Sequence, residues 1–491
     1  MVKLHALAGP ADTLTESVGA LDIVGVTADS REVKPGFLFA ALPGVKADGA
    51  RFIANAVAAG ARAVLCGADV QVAEDVAVLR DRNPRLRLAK IAARFYGAQP
   101  DIVAAVTGTN GKTSVATFVR EIWGRFGLAA ASLGTVGVWG PGGVRPLEHT
   151  TPDPVRLHQE IALLADEKVS HLALEASSHG LAQYRLDGLR IAAAGFTNLT
   201  RDHLDYHATF DDYLYAKLRL FGEVMGPGGV AVINVDADYA AEFEAVSWAR
   251  GHKIIGVGRK GRDICLEGVS AEPRGQRLQI VHAGAHYEVM LPLVGGFQAS
   301  NALVAAGLVI GCGGDPAMTF RALEGLTGAK GRLEEVSHLP NGASVYVDYA
   351  HTPDALETAL HALRPHTKGR LIVVFGCGGD RDPGKRPQMG KIASQSADIA
   401  FVTDDNPRTE NAAAIRQQVL DGGEGLREIG DRAAAIQTAV RLLQAGDCLI
   451  VAGKGHETGQ YVDGKVLPFS DHEAVAAAVA AHVTGEKGAS A

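Results

Sequence analysis

The sequence predicts an α/β protein of three domains. Three observations lead there. At 491 residues the chain is too long for one ordinary core, since domains average about 150 residues. Apolar strand-like runs alternate with helical patterns almost throughout, as strand–helix units do. A glycine-rich loop ending in Gly-Lys-Thr stands between a strand pattern and a helix pattern.

The elements follow in chain order. Leu88, Ile91, Ala92 and Phe95 form a helical stripe that closes the first segment, and Gly97 and Pro100 punctuate it. Ile102 then opens a fresh unit: the strand Ile-Val-Ala-Ala-Val, the glycine-rich loop, and a helix. That helix sets Val115, Phe118, Val119, Ile122, Trp123 and Phe126 on one face, with Gly127 just past its end. A second boundary falls near residue 331. Beyond it, strands are expected at 344–350, 371–375, 399–403 and 448–453, and the alanine-rich stretch 471–482 reads as a helix. The expected domains are 1–98, 99–331 and 332–491.

Composition narrows the class. With 47% hydrophobic and 21% charged residues the chain is globular. Its net charge is −7, from 48 basic and 55 acidic residues without long runs of one sign, which argues against a nucleic-acid surface. No apolar run reaches the roughly 18 residues of a membrane helix, and the N-terminus lacks the apolar core of a secretory signal. Cys66, Cys265, Cys312, Cys377 and Cys448 are scattered and form no CxxC, so a reducing, cytoplasmic compartment is expected. Asn198-Leu199-Thr200 matches a glycosylation sequon; without a signal it reads as coincidence.

The chemistry concentrates between residues 106 and 217. Val106-Thr107-Gly108-Thr109-Asn110-Gly111-Lys112-Thr113 stands where a phosphate loop belongs. Backbone N–H groups and the helix N-terminus would cradle phosphate oxygens. Lys112 would hold the β/γ-phosphates and the Thr113 hydroxyl would ligate Mg²⁺, with Ser114 next in the loop. Position 106 is Val where the strict phosphate-loop pattern has Gly. Glu175 ends a strand run, at the sheet edge where open α/β folds bind ligands. His203 follows another strand, and Lys217 lies in a helical pattern. Singly, each has an ordinary structural reading: surface carboxylate, buried histidine, solvated lysine. Together with the loop they read as a site.

These motifs together resemble those of the Mur ligase family of ATP-dependent amino-acid ligases. The resemblance runs through TGTNGKT (107–113), HTTPDP (149–154), EASSHGL (175–181), NLTRDHLDYH (198–207), YAKLRLF (215–221), FQASN (297–301), GRLE (331–334), DYAHTPD (348–354), GCGGDRDPGKRP (376–387), DNPR (405–408) and GKGHE (453–457). It implies an N-terminal α/β UDP-binding domain, a central phosphate-loop ATPase-like parallel sheet and a C-terminal Rossmann-like domain. It implies a monomer that works in the cytoplasm in peptidoglycan synthesis and needs neither nucleic acid nor membrane. ATP would phosphorylate the γ-carboxylate of D-Glu in UDP-N-acetylmuramoyl-L-Ala-D-Glu, and the amino group of meso-diaminopimelate would attack the acyl phosphate.

The resemblance also implies residue roles. Glu175, His203 and a carbamylated Lys217 would join Thr113 as Mg²⁺ ligands. Carbamylation turns a cation into an anionic oxygen ligand suited to a hard metal. Asn301, Arg332 and Asp348 match positions that hold the nucleotide; His351 is as well explained by a structural hydrogen bond. Ser30, Val45, Lys46 and Ala47 match positions that grip UDP. Thr150, Thr151, Ser177, Gln183 and Arg185 match those that hold the muramoyl-dipeptide, and their hydroxyl, amide and guanidinium groups suit sugar hydroxyls and carboxylates. Asp405, Asn406, Pro407 and Arg408 would read the incoming amino acid, with Arg381, Gly453 and Glu457. Diaminopimelate differs from lysine by a far carboxylate, which the planar fork of Arg408 can pair bidentately. Asp405 or Glu457 would meet the far ammonium. Lysine offers Arg408 only a like charge, so the site repels it. Rival readings are a folylpolyglutamate synthetase, a phosphate-loop kinase or switch, and a non-catalytic UDP-sugar-binding protein. The separate N-terminal domain and the DNPR segment speak against the first. The intact Lys112, Thr113, Glu175, His203 and Lys217 speak against the last.

Overall fold

The strand Ile102–Thr107 organises the central sheet, and the rest of that sheet is laid down on either side of it. A computed structural model describes residues 1–9, 12–44, 48–73, 75–200 and 206–489. The chain divides into two units, Met1–Cys265 with Leu303–Thr319, and Leu266–Ala302 with Phe320–Ala491.

In the first unit, Ile102–Thr107 pairs in parallel with His171–Glu175 on one side and with Ile191–Phe196 on the other. Ala130–Gly134 extends the first flank; Val230–Asn234 and Lys253–Gly258 extend the second, all parallel. The short strands Gly137–Gly140 and Gly143–Arg145 finish one edge antiparallel. The order of connection therefore reverses beside Ile102–Thr107, and such a switch point opens a crevice at the carboxyl ends of the strands. The helix Lys112–Arg125 starts there. Its Val115, Phe118, Val119, Ile122 and Trp123 are buried, as the sequence stripe requires, while Phe126 stands just past the helix end and is half-buried. Each large side chain so buried contributes roughly 1.5–3 kcal/mol. Gly127, at φ 76°, lets the chain leave the helix in the left-handed conformation.

The N-terminal segment of this unit carries four parallel strands in the order Gly25–Thr27, Phe37–Ala40, Ala63–Gly67 and Ala77–Asp81. The helix Pro84–Tyr96 covers them. Asn83 caps it by accepting the N–H of Leu86, and Pro84 occupies the first turn, where a missing donor costs nothing. Leu88 and Ile91 pack into one core with Leu38, Ala40 and Leu65.

The second unit contains the antiparallel pair Gly275–His282 and Ala285–Leu291 and a separate sheet. That sheet runs Glu334–His338, Ser344–Asp348, Cys448–Ala452, Leu371–Phe375, Ile399–Val402, Arg427–Glu428. All neighbours are parallel except the first edge strand. Its central strands are apolar on both faces because helices cover both: Leu356, Leu360 and Met389 pack on one side, Ile436, Val440 and Val475 on the other. The final helix, Asp471–Ala489, is longer than the alanine-rich stretch suggests. Among the described residues no helix is long and apolar enough to cross a membrane.

Candidate active site

The loop after Ile102–Thr107 is shaped by two glycines and strapped to the neighbouring strand end. Gly108 has φ 151° and Gly111 φ 88°. A Cβ on Gly108 would collide with the Thr197 hydroxyl, so only glycine lets the loop pass that close. Thr197 Oγ1 donates to the Asn110 carbonyl at 2.6 Å, and Asn198 Oδ1 accepts the Asn110 N–H at 2.9 Å. Lys112 folds back over the loop; its Nζ donates to the carbonyls of Gly108 and Thr109 at 2.8 and 2.7 Å. Ser114 follows in the first helical turn, buried.

Lys217 reaches the same loop from the helix Phe210–Arg219. A capping box opens that helix: Thr209 Oγ1 accepts the Asp212 N–H, and the Asp212 carboxylate accepts the Thr209 N–H. Lys217 is 1% exposed, so the solvated-lysine reading is overturned. Its Nζ donates to the Gly108 carbonyl at 2.7 Å and stands 4.4 Å from the Tyr213 ring centre. Two ammonium groups therefore share one backbone carbonyl.

Glu175 is likewise 1% exposed, which removes the surface-carboxylate reading. It stands at the carboxyl end of its strand, paired with Val106. Thr113 Oγ1 donates to its Oε2 at 3.0 Å, the Thr135 N–H to its Oε1 at 2.7 Å, and Thr135 Oγ1 to Oε2 at 3.2 Å. A hydroxyl and a carboxylate 3.0 Å apart beside a phosphate loop are hard oxygen donors of the kind Mg²⁺ takes. His203 lies outside the described residues. Among the described residues no three His, Cys, Asp or Glu side chains cluster as a metal site.

A polar chain continues outward from Glu175. Thr150 Oγ1 lies 3.0 Å from Thr135 Oγ1, and Thr151 Oγ1 donates to the Glu175 carbonyl at 2.9 Å. Ser177, the cap of the short helix Ser178–Ala182, donates through Oγ to Thr151 Oγ1 at 3.0 Å. Arg185 donates to the Thr151 carbonyl at 2.5 Å and to Gln183 Oε1 at 2.8 Å. All five residues matched to the muramoyl-dipeptide thus form one connected patch next to Glu175. Ser30, half-buried, follows the carboxyl end of Gly25–Thr27, whose parallel neighbour Phe37–Ala40 ends on the same edge. Val45, Lys46 and Ala47 lie outside the described residues.

In the second unit, four loops leave the carboxyl ends of adjacent parallel strands: those after Asp348, Phe375, Val402 and Ala452. Asp348 accepts the N–H groups of Leu333 and Ala350 at 2.6 and 2.8 Å. Burial raises its carboxyl above the usual range, against the pull of Arg332 and these N–H groups. The Arg332 guanidinium stands 4.6 Å from the Tyr349 ring centre. Asn301 donates to Gln298 Oε1 at 3.1 Å, and Gln298 to the Arg332 carbonyl at 3.2 Å. His351 Nδ1 meets the Tyr349 carbonyl at 2.8 Å, a structural bond.

Asp405 and Asn406 are buried, and Arg408 takes a left-handed backbone at φ 54°. The hairpin Gly459–Val462 with Lys465–Pro468 holds that turn: the Arg408 N–H donates to the Tyr461 carbonyl at 2.9 Å, and the Asp463 N–H to the Arg408 carbonyl at 2.7 Å. Arg408 NH1 donates to the Gly379 carbonyl at 2.7 Å. Its Nε and NH2 edge makes no hydrogen bond among the described residues, which leaves a fork for a carboxylate. Pro407 is buried between these residues, and Gly453, at φ 118°, passes so close to Asp405 that a Cβ would strike its carboxylate. Glu457 Oε2 accepts from Asn406 Nδ2 at 3.0 Å. Arg381 is exposed, and among the described residues its side chain donates one hydrogen bond, to the Asp380 carbonyl at 3.5 Å.

Known proteins resemble this chain along nearly its whole length. Mur ligase models match the chain at residues 22–96 (catalytic domain), 106–309 (middle domain) and 331–455 (glutamate ligase domain). The chain is 56% identical over 486 residues to the UDP-N-acetylmuramoyl-L-alanyl-D-glutamate–2,6-diaminopimelate ligase of Bradyrhizobium diazoefficiens, covering 98% of this chain and 100% of that one. The chain belongs to the Mur ligase family. Another Mur ligase of the same name, from Agrobacterium fabrum, is 54% identical over 96% of both chains. A solved structure of such a ligase superposes with TM-score 0.75 at 32% identity, covering 98% of this chain and 99% of that one. The MurF ligase of Thermotoga maritima with ADP shares the Mur ligase fold at TM-score 0.62 and 17% identity, over 95% of this chain and 99% of that one.

Sequence reasoning missed three side chains of this Mur ligase. Thr135, which gives Glu175 two hydrogen bonds, sits in the glycine-flanked Gly134–Gly137 turn, and no motif singles it out. Tyr213 OH lies 2.9 Å from Thr109 Oγ1; its signal is one helical turn of spacing from Lys217. Lys454 stands inside the quoted GKGHE segment, yet only its burial marks it out.

Proposed function

We propose that this chain is the monomeric, cytoplasmic ligase that joins meso-diaminopimelate to the D-Glu γ-carboxyl of UDP-N-acetylmuramoyl-L-Ala-D-Glu at the expense of ATP, in peptidoglycan precursor synthesis. The observation that carries this reading is Arg408. It stands half-buried, with one guanidinium edge tied to a carbonyl and the other open, near the acidic Asp405 and Glu457. A zwitterionic far end suits that pocket and a bare ammonium does not. Segments 1–98, 99–331 and 332–491 divide the work: UDP, phosphoryl transfer and amino acid.

The reaction needs no nucleophilic side chain, because ATP supplies the leaving group. Gly108, Thr109, Asn110, Gly111, Lys112, Thr113 and Ser114 hold the phosphates; Asn301, Arg332 and Asp348 hold the rest of the nucleotide. A carboxylate oxygen of the dipeptide attacks the γ-phosphorus and ADP leaves. The amino group then attacks the acyl phosphate, loses a proton, and inorganic phosphate departs as the amide forms. Thr150, Thr151, Ser177, Gln183 and Arg185 orient the dipeptide, so positioning and charge stabilisation do most of the work. Thr113, Glu175, His203 and Lys217 would hold Mg²⁺, which neutralises phosphate charge when bound. Lys217 serves as its carbamate. The shared Gly108 carbonyl supports this, because an anionic Lys217 relieves its crowding with Lys112.

Coupled ADP release tests the reading. The protein is supplied with ATP, Mg²⁺ and the nucleotide-sugar dipeptide, and then with meso-diaminopimelate, L-lysine or no amino acid. Release that depends on diaminopimelate and barely on lysine is expected. Preference for lysine would keep the mechanism and overturn the role of Arg408. Release indifferent to both amino acid and nucleotide sugar would sink the ligase reading.

A further inference from the structure

Lys454 follows the strand Cys448–Ala452 and is 0% exposed. Its Nζ donates to Asn406 Oδ1 at 2.9 Å and to Glu457 Oε2 at 3.1 Å. Asn406 Nδ2 closes the triangle by donating to the same Glu457 oxygen at 3.0 Å. Asn406 Oδ1 also accepts the N–H of Tyr461 at 3.0 Å, which ties the triangle to the hairpin that holds Arg408.

Stability alone gives a poor reason for this cation. Desolvating an ammonium is costly, and a well-packed apolar side chain of similar volume is often as stabilising as a buried ion pair. What the ammonium does locally is specific. Glu457 spends Oε2 on Lys454 and Asn406, while its Oε1 accepts no hydrogen bond among the described residues. The Glu457 side chain is 28% exposed, so that second oxygen has a route outward. A carboxylate gripped at one oxygen by two donors cannot swing freely, and it presents the other in a fixed direction.

We propose that Lys454 is a positioning residue for the incoming amino acid. It holds and partly neutralises Glu457 so that Oε1 faces the ammonium of the substrate, and it keeps Asn406 in place beside Arg408. This rests on the reading of the pocket as an amino-acid site given above. Lys454 itself touches no substrate; it acts through Glu457 and Asn406.

Full-length Lys454→Met and Lys454→Gln test it by steady-state kinetics, with the amino acid that the unaltered protein uses best. Lys454→Met should raise KM for that amino acid by about tenfold to a hundredfold, the effect of losing a charged hydrogen bond. It should leave kcat within about threefold and KM for ATP unchanged. Lys454→Gln, whose amide still donates, should recover part of the loss. Glu457→Gln combined with Lys454→Met should cost less than the two separate losses together, because both act through one carboxylate. A folded Lys454→Met with unaltered amino-acid KM and a lowered melting temperature would make Lys454 merely structural. An equal rise in KM for ATP would also overturn the proposal. Should Lys454→Met fail to fold, an unchanged amino-acid KM in Lys454→Gln together with unchanged KM in Glu457→Gln decides against it. The underlying reading fails separately, if the unaltered protein shows no amino-acid-dependent ADP release.

Discussion

Burial changes what individual residues can be. Lys217 is an ordinary helical lysine in sequence, yet its ammonium sits in the interior on the Gly108 carbonyl. Lys217→Ala should be nearly inactive in ADP release and regain activity in acetate, which can supply the missing carboxylate oxygens. Full activity without acetate would show that no carbamate is needed. His158 is a second case. Buried at 2% exposure, its ring meets the Asp187 carbonyl at 3.4 Å, and burial drives its pKa down to about 4. The unfolded chain binds a proton near pH 6.5 that the folded chain refuses until about 4. The stability from the neutral ring is therefore present above 6.5 and lost as pH falls toward 4, by up to about 3 kcal/mol. Urea unfolding at pH 7 and pH 5 should show this loss, and His158→Gln should flatten it. An equally steep loss in His158→Gln would acquit the ring.

At the scale of elements, strand ends and the loops that leave them do the positioning. Ile102–Thr107 delivers the Gly-Lys-Thr loop between the ends of His171–Glu175 and Ile191–Phe196. Gly108 is the tightest point. Its φ of 151° and the nearby Thr197 hydroxyl leave no room for a Cβ. Gly108→Ala should abolish nucleotide-dependent activity while far-UV circular dichroism stays unchanged. Activity near the original level would mean that the loop tolerates reshaping and that its backbone does not cradle phosphate.

The molecule as a whole divides into two units, each with a core of its own. A ligand that binds only the folded chain stabilises it by mass action, by about 2.7 kcal/mol at a hundredfold excess over Kd. ATP should therefore raise the melting temperature of the unaltered protein, and Lys112→Ala should remove that rise. A full rise in Lys112→Ala would take the phosphate loop out of the nucleotide site. No comparable shift is expected with L-lysine alone, if Arg408 repels its far end.

Local chemistry was legible in the sequence to different depths. The strands 371–375 and 102–106, the stripe Leu88–Ile91–Ala92 and the Gly-Lys-Thr loop depend on spacing along the chain, and they stand where the spacing puts them. Glu175 and Arg408 could be named because they belong to motifs. The grip of Thr135 on Glu175 could not be read, since these residues are 40 positions apart and meet only through sheet order. Nor could the triangle of Lys454, Asn406 and Glu457, in which Lys454 and Glu457 follow one strand and Asn406, about 50 positions earlier, follows another. Periodicity and turn chemistry act over a few residues, so the sequence by itself determined the elements, their loops and the family. Burial and long-range hydrogen bonds exist only once strands are paired. The tertiary structure alone therefore decided which lysines are desolvated, which carboxylate oxygens are already used and which remain for a substrate.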